Sequence, residues 1–178
     1  MGERRKPDAS LKSLCGGIPA APLSVLRALG DLVVVEARIG LLHHRVLVDG
    51  AAASVWSGRG GWNLVEGPAG APLGRVRYDV WRDRIHIDSP AGLLEIRFRW
   101  RNTTFAWRGR RYLIESALLS RIRVMDGLRT AVEGTTTWNG VRLAYVDPEL
   151  RPIARELALG LAIRTQTWFV SVVAASAA

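Results

Sequence analysis

Between residues 31 and 146 apolar and polar positions alternate with a period of two, the pattern of strands with one face in a core and the other in water. The clearest stretch is Leu94-Glu95-Ile96-Arg97-Phe98-Arg99-Trp100-Arg101. Leu94, Ile96, Phe98 and Trp100 share one side of it, and Glu95, Arg97, Arg99 and Arg101 share the other. Residues 75–80, 84–88 and 121–124 repeat the alternation; 32–39 and 41–48 are earlier strands, and 54–56 and 62–65 are weaker ones. Asp49-Gly50, Asp126-Gly127 and Asn139-Gly140 are hairpin dipeptides that supply the positive φ of a two-residue turn. Asp83, Pro90 with Gly92, and Gly109 mark further reversals. Ten to twelve short strands at this spacing predict a mainly β fold, a sandwich or a closed antiparallel barrel.

The period changes near the C-terminus. Residues 157–163 are apolar, Arg164-Thr165-Gln166-Thr167 follow, and 168–178 carry no charge, so Arg164 is the only charged side chain of 157–178. Pro148 or Pro152 suits the first turn of a helix, where a missing N–H costs nothing. A helix over 152–178 would be about 40 Å long. It is apolar on every side in its first half and nearly so in its second, which calls for enclosure by protein or insertion in lipid. Its two apolar runs are shorter than the ~20 residues of a membrane span, and Arg164 at a bilayer centre costs at least about 2.5 kcal/mol. Enclosure is the leading reading, and a tail anchor is the alternative. A helix that needs a wall and a meander that needs a filling predict a barrel wrapped round the C-terminal helix. Ala158, Gly160 and Ala162 would let strands approach it closely.

Short strands around small turns recur in Trp62-Asn63-Leu64-Val65-Glu66-Gly67 leading to Gly74-Arg75-Val76. They recur again in Phe105-Ala106-Trp107-Arg108-Gly109-Arg110-Arg111-Tyr112-Leu113-Ile114 and Val124-Met125-Asp126-Gly127. With the threaded barrel, this layout resembles the tubby C-terminal-like superfamily, which includes phospholipid scramblases and LURP-one-related proteins, over about residues 25–178. The resemblance implies a lipid-directed role, from phosphoinositide tethering by tubby proteins and lipid transfer proposed for scramblases. It carries over no ligand-binding residue.

Composition narrows the partners. The 178 residues carry a net charge of +9, a length that predicts one domain. Residues 1–22 read as a flexible N-terminal arm and 23–178 as the barrel domain. The start of the chain is too polar for a signal-peptide core, and a single cysteine, Cys15, permits no internal disulfide, so a reduced, cytoplasmic setting is expected, with peripheral contact to a membrane. Lys6 and Lys12 are the only lysines; the rest of the basic charge is arginine, as a GC-rich bacterial genome alone would produce.

Arg97, Arg99 and Arg101 face outward on one strand, Arg108, Arg110 and Arg111 crowd the next hairpin, and Arg121 and Arg123 follow. If these strands are neighbours, they form one basic face for anionic lipid or nucleic acid. The competing reading is a solvated strand face balanced by Glu95, Glu115 and Asp88. Trp81, Trp138 and Trp168 read as core or barrel-rim residues. His43 and His44 are adjacent on a strand and point to opposite faces, so they cannot chelate one ion. No Gly-x-Ser-x-Gly occurs, and neither glycine-rich loop is followed by Lys and Ser/Thr. No catalytic residue, metal or cofactor is expected. The expected protein is a non-enzymatic bacterial barrel that binds anionic lipid, a membrane surface or a protein partner. A nucleic-acid module and a tail-anchored protein are the alternatives.

Overall fold

The computed structural model describes residues 33–40, 43–67, 73–99, 102–116 and 121–176. The expected N-terminal arm with Cys15, and Trp100 and Arg101, lie outside the described residues.

Twelve strands follow one another: β1 (Val35–Ile39), β2 (His44–Val48), β3 (Ala51–Ser57), β4 (Asn63–Val65), β5 (Gly74–Asp79) and β6 (Arg84–Ser89), then β7 (Gly92–Arg97), β8 (Thr103–Trp107), β9 (Arg110–Ser116), β10 (Arg121–Asp126), β11 (Arg129–Thr137) and β12 (Gly140–Val146). Each pairs with its neighbours in the chain, and β1 closes on β12, so the sheet is a complete antiparallel barrel with no free edge. The closing register sets Val35 opposite Leu143 and Arg38 opposite Gly140. Alternation in sequence becomes alternation across the wall: Ile85 and Ile87, Leu94 and Ile96, and Ile122 and Val124 all point into the core.

After β12 a short 3₁₀ turn, Arg151–Ile153, with Pro152 early in it, leads into helix α1 (Ala154–Ser176). The helix packs against β1, β2, β5, β6 and β12. Its first part is enclosed: Leu157, Ala158, Leu159 and Ala162 are fully buried. The far side of the interior is filled by side chains from the wall, where the Phe105 and Tyr112 rings stack at 5.1 Å between centroids. Beside them Trp107 donates its indole N–H to the Glu149 carbonyl at 3.0 Å. Gly160 lies tightly against the wall. A Cβ there would stand 2.6 Å from Cγ2 of Ile85, so glycine is what lets the helix lie on β6.

Three expectations are corrected. The alternating run 94–101 does not continue as one strand: β7 stops at Arg97, and among the described residues only Arg97 and Thr104 pair across to β8. At 139–140 the reversal centres on Trp138 and Asn139, and Gly140 opens β12 without a positive φ. Its hydrogen side chain serves another purpose, because a Cβ would run into the Ala37 carbonyl of β1 across the closing seam. At 49–50 the expectation holds, with φ of 50° and 83° at Asp49 and Gly50. The third correction concerns the helix. Enclosure lasts only to Ala162; from Trp168 onward most side chains face solvent.

Candidate functional site

In an up-and-down meander, successive reversals alternate between the two ends of the barrel. The β1–β2, β3–β4, β5–β6, β7–β8, β9–β10 and β11–β12 connections therefore share one end. The helix starts at the other end, where β12 finishes, and emerges among these connections; Arg164 marks the point by reaching Asp83 in the β5–β6 turn. We call this end the mouth and the opposite end the base.

The mouth gathers exposed apolar side chains. Trp81, in the β5–β6 turn, is 98% exposed, Trp138 in the β11–β12 turn is 63% exposed, and Val80 in the β5–β6 turn and Trp56 at the mouth end of β3 are exposed too. From the helix come Trp168, Val170, Val172 and Val173, each about half exposed. Its hydroxyls are already used: Thr165 donates to the Leu161 carbonyl, Thr167 to Ile163, Ser171 to Thr167 and Ser176 to Val173, all between 2.8 and 2.9 Å. The projecting half thus presents methyl groups and aromatic faces with its hydroxyl donors satisfied. Exposed arginines Arg59, Arg82 and Arg99 sit on the surrounding reversals and strand ends.

A polar collar separates enclosed from projecting helix. Arg164 donates to both oxygens of Asp83, at 2.7 and 2.8 Å, and its guanidinium lies over the Phe98 ring at 3.9 Å from the centroid. The Tyr78 hydroxyl also donates to Asp83, at 2.8 Å. Burial pushes the Asp83 carboxyl upward, but the bonds from Arg164 and Tyr78 outweigh it and leave it below the usual aspartate value. The Tyr78 phenol is raised, by burial first and by its bond to Asp83 second.

The expected arginine face is resolved into separate groups. Arg121 pairs with Glu133, and Arg110 with Asp126 at 3.2 Å. Arg108 lies over Trp107 at the base, 5.6 Å from the ring centroid, and Arg123 is half-buried on β10. Arg101 lies outside the described residues. Arg97 bonds Glu95 at 2.5 Å, which Arg84 also meets at 3.2 Å; the bond from Arg97, ahead of other influences, holds the Glu95 carboxyl below its usual value. Three of the eight, Arg97, Arg110 and Arg121, are therefore paired with carboxylates on their own or an adjacent strand.

Three of the candidates do converge. Arg97, Arg99 and Arg111 line a cleft of about 450 Å³ with Glu95, Asn102, Thr104, Phe105 and Ala106. Its cause is a difference in side-chain length. The outward residues of β8 are short, whereas those of β7 and β9 beside it are long, so β8 forms a floor between two arginine walls. Neither Arg99 nor Arg111 has a carboxylate partner among the described residues.

One buried polar group was not singled out from the sequence. Glu156 is fully enclosed in the barrel near the base. Its Oε1 accepts from Arg155 at 3.2 Å, and its Oε2 has no hydrogen-bond partner among the described residues. Burial raises its pKa, against the opposing pull of Arg155. Gly74 makes room for this carboxylate, since a Cβ on β5 would overlap it. The gathering at the mouth was also missed, although strand parity in the meander was enough to place Trp81 and Trp138 at one end. No family model, curated protein or solved structure matches this chain.

Proposed function

We propose that the protein is a non-enzymatic binder of anionic membrane surfaces that docks through the mouth of its barrel. The observation that carries this reading is the projecting half of α1, apolar around its circumference and with its hydroxyls bonded to its own backbone. Tryptophans on two turns at opposite sides of the barrel stand exposed at the same end, and indoles favour the headgroup level of a bilayer. Arg59, Arg82 and Arg99 supply attraction of about 1 kcal/mol each toward an anionic leaflet.

Magnitudes favour lying at the interface over spanning. Residues 151–176 make a helix long and apolar enough to cross a membrane by length and composition. Its first part, however, is held in the barrel, with Arg164 clasped to Asp83 at the boundary, so the 26-residue stretch is not free to cross as one span. Burying its half-exposed apolar side chains yields roughly 1 kcal/mol apiece, the scale of reversible attachment. The barrel-and-helix layout agrees with the tubby-like resemblance, whose members act at lipids. The nucleic-acid reading has less behind it, because Arg75, Arg84, Arg97, Arg110 and Arg121 are already opposed by carboxylates on their own or adjacent strands.

Co-sedimentation with vesicles tests the proposal. The full chain is expected to pellet with phosphatidylcholine vesicles containing phosphatidylglycerol, less with phosphatidylcholine alone, and less as salt rises. Changing Trp168 and Val172 together to serine abolishes pelleting and leaves the melting temperature unchanged. Negligible pelleting with both vesicle types overturns it.

A further inference from the structure

The cleft on the barrel wall shares Arg99 with the mouth but has a chemistry of its own. We propose that it is a binding site for a phosphate monoester, either a small phosphorylated molecule or the phosphorylated end of a larger one.

Charge comes first. Three guanidinium groups, Arg97, Arg99 and Arg111, face the cleft against one carboxylate, Glu95. That carboxylate is already engaged by Arg97 and Arg84, so its negative charge is directed along the wall. The excess of two positive charges matches a phosphate monoester, which carries close to two negative charges at neutral pH. A phosphodiester or a carboxylate would leave one arginine without an anion.

Geometry comes next. Arginine forks suit the oxygen spacing of phosphate, and here they rise from strands on both sides of a floor of short side chains, so an anion seated on β8 is reached from two directions. Asn102 and Thr104 add an amide and a hydroxyl at the same floor. A volume of about 450 Å³ exceeds what phosphate alone fills and lies in the range of small-molecule sites. The remainder is room for the esterified group. Among the described residues β7 pairs with β8 less extensively than any other two neighbours in the wall. Arg99 and Arg111 also lack the carboxylate partners that satisfy Arg75, Arg84, Arg110 and Arg121, so ligand binding breaks no ion pair of theirs.

Titration calorimetry on the full chain with glycerol 3-phosphate, inorganic phosphate and sulfate tests the site. The organic phosphate is expected to bind most tightly. Glycerol 3-phosphate affinity rises several-fold between pH 5 and 7.5, as the ester's second proton leaves near pH 6, whereas sulfate affinity stays flat. The double change Arg99→Gln with Arg111→Gln lowers glycerol 3-phosphate affinity at least tenfold, and Arg110→Gln with Arg121→Gln, on the paired part of the wall, changes it less than twofold. Vesicles containing phosphatidic acid then separate the sources. Extra pelleting over phosphatidylglycerol that is lost in the Arg99/Arg111 variant assigns the site to a lipid phosphate, and its absence alongside soluble binding assigns it to a free metabolite. The serine variant of the helix, deficient in vesicle docking, keeps its glycerol 3-phosphate affinity, so failure of one proposal does not mimic failure of the other. No heat of binding at millimolar ligand, or equal loss in both arginine pairs, overturns the site.

Discussion

Arg164 of the helix and Asp83 of the β5–β6 turn hold one another through two parallel hydrogen bonds, and they do so at the boundary between enclosed and projecting helix. The residue that makes a bilayer crossing costly is thus the residue that fixes how deeply the helix sits in the barrel. Both side chains are less than one-third exposed, so the pair is stronger than an open surface bridge. Asp83→Asn or Arg164→Gln is expected to lower stability by about 2 kcal/mol, and the double variant by little more than either. Denaturant unfolding of the four proteins measures the coupling; a value near zero excludes the clasp.

The same pair sets the acid limb of stability. Asp83 titrates below its unfolded value of 3.8 in the folded protein. Its contribution is therefore complete above the unfolded value and lost as pH falls through the folded one. Asp83→Asn is expected to flatten the melting temperature below pH 4 relative to the parent chain.

Glu156 acts in the opposite sense. Its folded pKa is raised from 4.5 by burial, so the folded state favours the protonated form. The resulting penalty is absent below the unfolded value and grows as pH rises through the folded one. Glu156→Gln is expected to stabilise the protein by about 1 kcal/mol at pH 8 and by nothing measurable at pH 4. Equal effects at both pH values would show that ionisation plays no part.

Gly74 and Gly160 are required for different neighbours. Gly74→Ala sets a methyl group against the Glu156 carboxylate, and Gly160→Ala sets one against Ile85. Each is expected to cost about 2 kcal/mol, in the range of core overpacking. The first loss is relieved by Glu156→Ala and the second by Ile85→Ala. Rescue by the wrong partner, or by neither, contradicts the assigned contacts.

Tryptophan position gives a spectroscopic readout of docking. In vesicles with brominated acyl chains, quenching is expected from Trp81, Trp138 and Trp168 at the mouth, and none from Trp107, which is buried at the base. Single-tryptophan variants resolve the four contributions, and quenching of Trp107 would mean that the barrel docks by another end or unfolds on the membrane.

Much of the barrel could be read from its strands because alternation is a local signal, and β5, β6, β7 and β10 carry it plainly. The closure of β1 on β12 and the filling by the helix also followed, from the need to cover an all-apolar helix start. What local pattern could not supply was the partner of each charge. Arg121 reads identically whether Glu133 faces it or water does, and only the register of β10 on β11 decides. Asn139-Gly140 misled for a similar reason: its glycine answers to Ala37, about a hundred residues away in the chain. The cleft was half legible. Its arginines were named, but the short outward side chains of β8 that make it concave were not recognised as a floor.

The order of elements along the chain has a consequence for how the protein is made. The helix that fills the barrel follows all twelve strands, and the seam joining Val35 to Leu143 pairs segments from opposite ends of the sheet. Synthesis therefore delivers the wall before its contents. Until Leu157 to Ala162 arrive, the apolar interior has nothing to close upon, and two strand edges stay unpaired. Closing the seam waits on long-range contacts, which favour slow assembly, and the wall's apolar face stays exposed to other chains until the helix is complete.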